Sequence, residues 1–438
     1  MNIRFYNARI LTMADGFRII ENGEIGISEG RILFVGPKGA LEAYEKEHPS
    51  EVPAWDRESD LKGNLLMPGF KNAHTHSAMT FLRSIAEDLP LERWLEEAVF
   101  PREAKLTADD IYHCTKLAIL EYLTSGITAV FDMYLDPIAA ANAASECGFR
   151  FVQVSPMMSG PKHNDQILKH QEELYQKLNH LDGLNSAFFG FHAEYTNSDE
   201  LLQGLSELAK KYKSPIFAHN SETQKEVRDC KKRHDGLTPT EYFDSLGLFE
   251  YGGGGYHCVW LSKHDIEIFQ QRGLSVITNS GSNVKLASGI APVADFLKEG
   301  INVALGTDGP ASNNSLDMFR EMFLTAGLAK ILEKNASAVD GNKVLSMATL
   351  GGAKAMGLTD CDVLAPGKKA DLIEIDLDQP NMQPLNDITR NLVYSGCKSN
   401  VKMTMIDGKI LYEDGEFMIG EDPEKIYAKV KDVIERIG

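Results

Sequence analysis

The feature that most constrains the fold is a strand–helix rhythm that runs eight times from residue 65 to residue 307. Short apolar segments bounded by turn residues predict the strands. Apolar residues at helical spacing predict the helices between them, the clearest being Thr107–Ser125, which opens with a Thr107/Asp110 cap and stops at Gly126. The predicted strands are Leu65–Asn72, Ile127–Asp132, Phe149–Val154, Ala187–His192, Ile216–His219, Gly255–His257, Ser275–Asn279 and Asn302–Thr307. Eight such units favour an α/β protein built on a (β/α)₈ TIM-type barrel over an open doubly wound sheet.

Strand-like segments also occupy both ends of the chain. They are Arg4–Thr12, Gly23–Ser28 and Arg31–Val35 at the start, and Ala370–Asp376, Val401–Ile406 and Lys409–Tyr412 at the end. We therefore expect both termini to pair in one small β-sandwich domain. This predicts a composite domain of residues 1–66 and 365–438 around a barrel of residues 67–364.

Charge and composition exclude several classes of partner. The 438 residues include 45 Lys+Arg and 63 Asp+Glu, which gives a formal net charge of −18. Nucleic-acid backbones and anionic membranes both require clustered Lys and Arg, so neither is expected as a partner. The chain starts with a strand-like segment and has no apolar stretch near the ~20 residues of a membrane span. The six scattered cysteines predict reduced, mostly buried thiols, and hence a cytoplasmic protein.

Histidines and one aspartate stand where predicted strands end. Because the carboxyl ends of barrel strands carry the catalytic groups, these residues are expected to converge. They are His74 and His76 on the first strand, His219 on the fifth, His257 on the sixth and Asp308 on the eighth. Alternate residues of an extended chain point the same way, so His74 and His76 can bind one ion together. Nitrogen and oxygen ligands of this kind predict a Zn²⁺ site, and Fe²⁺ also suits them.

The end of the fourth strand indicates how many metals bind. A two-metal barrel usually needs a bridging group there, often a carbamylated lysine, whereas this strand ends Gly190-Phe191-His192-Ala193. The sequence therefore predicts one divalent metal with an open position for water, as in a hydrolytic site.

Glu222 lies three residues after His219 and has two interpretations. A carboxylate in the first turn of a helix beside the metal can carry a proton from the water to a leaving nitrogen. Alternatively, Glu222 is a helix-end carboxylate, with Ser221 or Asn220 as the cap. The neighbouring metal histidine favours the proton shuttle.

Two other motifs are excluded. The run Gly252-Gly253-Gly254-Gly255 lacks the G-x-G-x-x-G spacing and precedes a strand, so it predicts a turn and not a nucleotide-binding loop. The other class of zinc deaminase requires H-x-E with P-C-x-x-C, which this chain does not contain.

Several long motifs resemble a known family. Met67-Pro68-Gly69-Phe70, Asn72-Ala73-His74-Thr75-His76, His219-x-x-Glu222, His257 and Gly306-Thr307-Asp308-Gly309 resemble the amidohydrolase superfamily. Longer segments are similar to the 5′-methylthioadenosine/S-adenosylhomocysteine deaminases and their triazine-hydrolase relatives. These segments are Ala86–Leu95, Ser282–Pro292 and Thr307–Asn314. The resemblance covers essentially the whole chain.

The resemblance implies a role for each site residue. The metal ligands would be His74, His76, His219 and Asp308. Asp308 would also accept a proton from the bound water, His257 would polarise the hydroxide or the adduct, and Glu222 would protonate the ring nitrogen beside the attacked carbon. The substrate contacts would be Glu103 at the ribose hydroxyls, His192, and Trp94 packed on the substrate. Trp94 could instead belong to the core, and Glu103 could be a surface charge.

The reaction that the resemblance implies is hydrolytic deamination at C6 of a small-molecule purine nucleoside: 5′-methylthioadenosine, adenosine or S-adenosylhomocysteine. A metal lowers the pKa of its bound water toward ~7, so that hydroxide can attack and ammonia can leave. The alternatives are a guanine-type or other aminopurine or triazine deaminase, a triazine chlorohydrolase, or a non-catalytic binding protein, which loss of metal ligands would mark. Relatives of this kind are commonly homo-oligomers.

One departure from the family bears on the substrate. Deaminases that accept S-adenosylhomocysteine place arginines after the third strand, where this chain reads Val154-Ser155-Pro156-Met157-Met158-Ser159-Gly160-Pro161-Lys162-His163. Arg150 lies inside the strand, and only Lys162 follows it. Met157 and Met158 would form an apolar wall. We therefore predict a preference for adenosine or 5′-methylthioadenosine.

Overall fold

The computed structural model describes residues 1–85, 87–160 and 162–438, so Ala86 and Pro161 of the motifs above lie outside the described residues. The strands are β1 Ile3–Leu11, β2 Ile19–Ser28, β3 Arg31–Pro37, β4 Arg57–Asp60, β5 Leu65–Pro68, β6 Phe70–Thr75, β7 Ile127–Asp132, β8 Arg150–Val154, β9 Asn185–Gly190, β10 Ile216–Asn220, β11 Gly253–His257, β12 Ser275–Thr278, β13 Asn302–Leu305, β14 Leu372–Ile375, β15 Val401–Ile406, β16 Lys409–Glu413 and β17 Glu416–Phe417.

The helices alternate with the strands in the middle of the chain. They are α1 Ala40–Glu47, α2 Leu91–Arg93, α3 Phe100–Glu103, α4 Ala108–Thr124, α5 Pro137–Cys147, α6 Asn164–Asn179, α7 Asp199–Tyr212, α8 Gln224–Arg233, α9 Pro239–Ser245, α10 Lys263–Arg272, α11 Ser280–Lys285, α12 Val293–Lys298, α13 Met318–Glu333, α14 Gly341–Ser346, α15 Gly352–Ala355, α16 Ile388–Tyr394 and α17 Pro423–Ile437. A π-helical turn at Trp94–Val99 joins α2 to α3 in one continuous segment. The predicted Thr107/Asp110 capping box opens α4.

Strands β6 to β13 form an eight-stranded parallel sheet in which each strand pairs with the next along the chain. The sheet curves until its last strand meets its first, where the Asp308 N–H donates to the His74 carbonyl at 3.0 Å. The Thr307 N–H donates to Asn72 Oδ1 at 2.9 Å beside it. The predicted (β/α)₈ barrel is therefore confirmed.

The remaining strands form a mixed sheet from both ends of the chain, in the order β17-β16-β15-β14-β5-β1-β2-β3, with β4 paired to β1. This is the separate β-domain expected from the terminal strands. The single strand predicted over Leu65–Asn72 is wrong, because β5 pairs with β14 in this sheet whereas β6 enters the barrel. The chain crosses between them at Gly69, where a Cβ would lie 2.1 Å from Thr128 Cγ2. The domain bounds 1–66 with 365–438 and 67–364 stay a prediction.

A buried ion pair joins the barrel to the mixed sheet. Arg150, inside β8 as predicted, donates to Asp371 through Nε at 2.6 Å and through Nη2 at 2.9 Å. Asp371 also accepts the N–H of Asp407 at 2.8 Å. Asp407 is a second, more distant partner, with Oδ1 at 3.9 Å from Arg150 Nη2. Because Arg150 is the first residue of β8, it serves this junction and does not reach the opposite, carboxyl end of the barrel.

The four-glycine run does not form a turn over its whole length. Gly253, Gly254 and Gly255 lie in β11, which contradicts the sequence prediction. A Cβ at Gly253 would lie 1.9 Å from the Ile216 carbonyl oxygen, and one at Gly254 would lie 2.3 Å from that of Ser275. The neighbouring strands therefore leave no room for side chains at Gly253 and Gly254. Glycine, which usually marks a turn, is required here because the barrel strands approach so closely.

The described residues include all six cysteines. All are free thiols, and all except Cys397 are buried, as predicted. In the described part of the chain, no helix is long and apolar enough to cross a membrane.

Candidate metal centre and active site

The barrel brings the predicted ligands to one end, within a few ångströms of each other. His74 and His76 lie at the end of β6, His219 in β10, His257 at the end of β11, and Asp308 just beyond β13. Ligand atoms of His74, His76 and His219 lie within 4.8 Å of one another, and so do those of His74, His257 and Asp308. The two sets share His74, so they form one cluster.

Asp308 is the carboxylate at the centre of this cluster. Its Oδ1 lies 3.1 Å from His76 Nε2 and 3.6 Å from His74 Nε2, while its Oδ2 lies 3.8 Å from His257 Nε2. Ser282 donates to Oδ2 at 2.6 Å. Despite burial, the hydrogen bond from His76 holds the pKa of Asp308 well below its usual range.

Hydrogen bonds to backbone carbonyls orient two of the imidazoles. His76 donates through Nδ1 to the Met133 carbonyl at 2.5 Å, and His219 donates through Nδ1 to the His192 carbonyl at 2.7 Å. For His219 this bond fixes the tautomer in which Nε2 carries a lone pair toward the cluster, as a metal-binding histidine requires. His76 Nε2 lies 3.1 Å from Asp308 Oδ1 and donates its proton there, and it would give up that proton to bind a metal.

His74 provides a test of whether a metal fits. It is fully buried, and neither of its ring nitrogens has a hydrogen-bond partner among the described residues. Buried polar atoms rarely remain unpaired unless an ion or another ligand satisfies them. Burial holds the pKa of His74 and His219 well below the usual value, so both imidazoles are neutral, the form that binds metal. The cluster therefore fits a divalent cation.

Glu222 does not occupy the first turn of a helix, and neither Ser221 nor Asn220 is a cap. Helix α8 begins at Gln224, and its N-cap is Thr223. Glu222 precedes that cap and is buried, with Oε1 accepting from Ser288 Oγ at 3.0 Å and Oε2 lying 3.8 Å from His257 Nε2. Burial raises the pKa of Glu222, which favours the protonated form that a general acid needs.

A second buried carboxylate holds the backbone around Glu222. Glu226 accepts the N–H of Ser221 at 3.0 Å through Oε1, and that of Glu222 at 2.7 Å through Oε2. Burial raises the pKa of Glu226 to about 7. The residue was not predicted from the sequence as part of the site, although its spacing from Thr223 is that of a capping box.

A cavity of about 670 Å³ opens above the cluster. His76, His219, Glu222, His257 and Asp308 border it on one side, and most of the remaining wall is apolar. An apolar pocket with a few converging polar groups is the usual form of a small-molecule site.

The three predicted substrate contacts all line this cavity. Trp94 is 4% exposed and packs in a hydrophobic cluster with Val99, as its core interpretation requires, and its contact with substrate stays a prediction. Glu103 is half-buried, not a surface charge, and burial raises its pKa. Burial lowers the pKa of His192 to about 4, which keeps this imidazole neutral at physiological pH.

The predicted methionine wall is half correct. Met158 lines the cavity, whereas Met157 is buried in the main hydrophobic core. Adjacent residues in a loop point in different directions, and packing decides which of them faces the cavity.

Among the residues that the structure describes, no lysine or arginine lines the cavity. Arg83 pairs with Glu121, and Arg228 lies exposed beside Asp229. Lys162 is exposed as well. Relatives that accept S-adenosylhomocysteine have arginines after the third strand, which this chain lacks. No other part of the described chain places an arginine on the cavity wall instead.

Other cavity residues escaped the sequence analysis. Tyr134 lies two residues beyond β7 and Tyr195 follows β9, and both line the cavity. Their positions after barrel strands were the available signal. Ser288, which donates to Glu222, belongs to the segment Ser282–Pro292, for which the sequence indicated a family resemblance but no role.

Comparison with known proteins agrees with this geometry. The sequence pattern of the amidohydrolase family matches residues 65–411. The chain belongs to the amidohydrolase family. It is 40% identical over 440 aligned residues, the full length of both proteins, to a 5-methylthioadenosine/S-adenosylhomocysteine deaminase of Acetivibrio thermocellus. It is also 38% identical to a 5′-deoxyadenosine deaminase of Methanosarcina mazei, over 98% of this chain and 97% of that protein.

A solved structure extends the comparison. An adenosine deaminase from Xanthomonas campestris with bound zinc superposes with a TM-score of 0.92 at 32% identity, over 99% of this chain and 98% of that chain. The predicted family, and the barrel with its terminal β-domain, are thus confirmed.

Proposed function

We propose that this amidohydrolase deaminates an aminopurine nucleoside, replacing the C6 amino group by oxygen and releasing ammonia. The observation that carries the proposal is the position of Glu222 at the wall of the cavity, beside the cluster of His74, His76, His219 and Asp308. A metal site that activates water and an acid that protonates a ring nitrogen are the two requirements of this chemistry. The names of the similar proteins support the same reaction.

One divalent metal would be held by His74, His76, His219 and Asp308. When bound, it supplies a Lewis acid that lowers the pKa of water toward ~7. We propose Zn²⁺ over Fe²⁺, because three imidazoles and a carboxylate suit zinc and because a similar adenosine deaminase contains it.

Two side chains move the protons, and a third stabilises charge. Asp308 accepts a proton from the attacking water, while Glu222 gives its proton to N1 of the purine ring. The water oxygen forms its bond to C6, and His257, 3.8 Å from both Glu222 and Asp308, stabilises the negative charge on that oxygen. The amino nitrogen then takes the proton from Asp308, the C6–N bond breaks, and ammonia leaves. Glu222 is reprotonated by the new hydroxyl group, which becomes the C6 carbonyl.

The cavity wall would bind the rest of the nucleoside. Glu103 would accept hydrogen bonds from the ribose hydroxyls, and Trp94 would pack on the substrate. His192, neutral and next to His219, would make a second polar contact. The apolar surface around Met158 suits a small, uncharged 5′ substituent. A cytoplasmic location and a homo-oligomeric state stay predictions.

The test is a metal analysis followed by an ammonia-release screen. The purified protein is incubated with adenosine, 5′-deoxyadenosine, 5′-methylthioadenosine, S-adenosylhomocysteine, adenine, guanine and a chlorotriazine. We expect close to one zinc per chain and release of ammonia from nucleosides only. Ammonia release from guanine alone, or chloride release from the chlorotriazine alone, would instead identify one of the other activities. A fully active metal-free protein would refute the proposal.

A further inference from the structure

The segment of residues 282–288, which follows β12, contacts the side chains of Asp308, His257 and Glu222. These are the three groups that move protons or stabilise charge in the proposed function. Three of its side chains, Ser282, Asn283 and Ser288, make these contacts. All three are buried, with exposed fractions of 0%, 2% and 5%. The segment lies within Ser282–Pro292, a family-specific motif to which the sequence assigns no role.

Ser282 holds Asp308. Its Oγ donates to Asp308 Oδ2 at 2.6 Å, and the Gly309 N–H donates to Oδ1 at 2.8 Å. Because one donor binds each oxygen, the carboxylate cannot rotate without losing a hydrogen bond to a charged group, which is among the stronger bonds in proteins.

Asn283 holds His257. The His257 Nδ1–H donates to Asn283 Oδ1 at 2.8 Å, which leaves Nε2 directed at Glu222 and Asp308. His257 is fixed further by its backbone, which has a φ of +68°, a conformation that non-glycine residues adopt only where the surroundings enforce it.

Ser288 holds Glu222, donating from Oγ to Oε1 at 3.0 Å. Its own backbone is anchored on both sides. The Ser288 N–H donates to the Asn283 carbonyl at 2.9 Å, and the Ser288 carbonyl accepts from Trp260 Nε1 at 2.8 Å.

The segment is itself tied to the surrounding structure. Lys285 donates to the Ala311 carbonyl at 3.0 Å and pairs with Glu87 at 2.8 Å. At its start, the Gly281 N–H donates to the buried carboxylate of Glu321 at 3.0 Å. These bonds make the segment a rigid support, which a site needs if it is to hold its groups within a fraction of an ångström.

We infer that residues 282–288 form a positioning element, in which Ser282, Asn283 and Ser288 set the orientation of Asp308, His257 and Glu222 respectively. None of the three touches the reacting atoms in this assignment; each acts through its partner. The inference rests on the proposed function, because it assumes that those partners carry the chemistry.

The test replaces each side chain singly, as Ser282→Ala, Asn283→Ala and Ser288→Ala. The matched control is Ser280→Ala, in the same helix, whose buried hydroxyl bonds to Thr325 and to none of the three partners. Losing an orienting partner typically costs ~10–100-fold in metal affinity or activity. We expect kcat to fall in that range for Asn283→Ala and Ser288→Ala with KM little changed, zinc affinity to fall for Ser282→Ala, and the control to stay within about twofold of the unmodified enzyme.

A double-variant cycle separates positioning from general stability. Ser288→Ala should lower kcat in the unmodified enzyme but add less than about a twofold loss to Glu222→Gln, because orienting a group that cannot donate its proton gains nothing. An equal loss in both backgrounds would overturn the assignment, and so would full activity of all three single variants. If an alanine variant does not fold, Ser282→Cys, Ser288→Cys or Asn283→Leu carries the test, since a thiol donates weakly and leucine keeps the volume without an acceptor. Absence of turnover in the unmodified enzyme would refute the proposed function instead.

Discussion

Replacing Met158 by arginine would place a guanidinium on a cavity wall that has no cation among its described residues. S-adenosylhomocysteine differs from 5′-methylthioadenosine chiefly in a charged amino-acid group on the sulfur, whose carboxylate needs a partner. We therefore predict that the unmodified enzyme uses 5′-methylthioadenosine or adenosine with a clearly higher kcat/KM. Met158→Arg should reduce the difference in kcat/KM between these substrates and S-adenosylhomocysteine.

The expected magnitude follows from the missing bond. Hydrogen bonds to a charged group contribute about 1.5–3 kcal/mol, which corresponds to roughly 10–150-fold in affinity. Met158 is half-buried, so water would screen an arginine there and the gain should lie near the lower end, about tenfold. Met158→Gln, which has similar length and no charge, is the matched control and should not improve S-adenosylhomocysteine turnover.

The assay is ammonia release, with kcat/KM measured for adenosine, 5′-methylthioadenosine and S-adenosylhomocysteine on all three proteins. The prediction is tested by the ratio of kcat/KM for 5′-methylthioadenosine to kcat/KM for S-adenosylhomocysteine. If S-adenosylhomocysteine is the best substrate of the unmodified enzyme, the argument from the uncharged wall is wrong. An equal effect of Met158→Arg on every substrate would likewise show that the arginine does not meet the carboxylate.

Three further predictions concern the metal, the acid and the pH dependence of stability. His219→Ala should lose both bound zinc and turnover, measured by elemental analysis and ammonia release; retention of both would remove His219 from the site. Glu222→Gln should keep its metal and lose ~10²–10⁴-fold in kcat, as general acid–base groups typically contribute; a loss below about tenfold would reduce Glu222 to a structural role. Burial raises the pKa of Glu321 to about 7 from the usual 4.5, so the folded protein retains a proton that the unfolded chain releases between these values. The free energy of unfolding should therefore fall as pH rises from 4.5 through 7, by up to about 3 kcal/mol from this group. In urea titrations, the free energy of unfolding should fall less between pH 5 and pH 8 for Glu321→Gln than for the unmodified protein. An unchanged fall would count against a raised pKa of Glu321.

The cluster of histidines and Asp308 could be predicted from the sequence because all its members lie at or just beyond the ends of barrel strands. Once the strand–helix rhythm indicates a parallel barrel, the ends of its strands must share one rim, wherever they occur in the chain. His74 and Asp308 are 234 positions apart, yet both are strand-end residues, and the backbones beside them are hydrogen-bonded to each other. Recognition of the family motifs then supplied roles that spacing alone could not.

Residues outside that rule were not predictable in the same way. Met157 and Met158 stand side by side in a loop without periodicity, and packing alone sends one to the core and the other to the cavity. Gly253 and Gly254 carry the composition of a turn, but the close approach of the adjacent strands makes them strand residues.

The contacts of Ser282, Asn283 and Ser288 with their partners could not be predicted from the sequence, because they depend entirely on the tertiary structure. Ser288 and Glu222 are 66 residues apart and lie in loops after different strands. No local pattern in the chain relates a serine hydroxyl to a carboxylate at that distance, because the contact exists only after the barrel closes and sets the two loops against each other. Local motifs thus indicate which groups we propose to react, whereas the orientation of those groups arises from packing between loops that are remote in the chain.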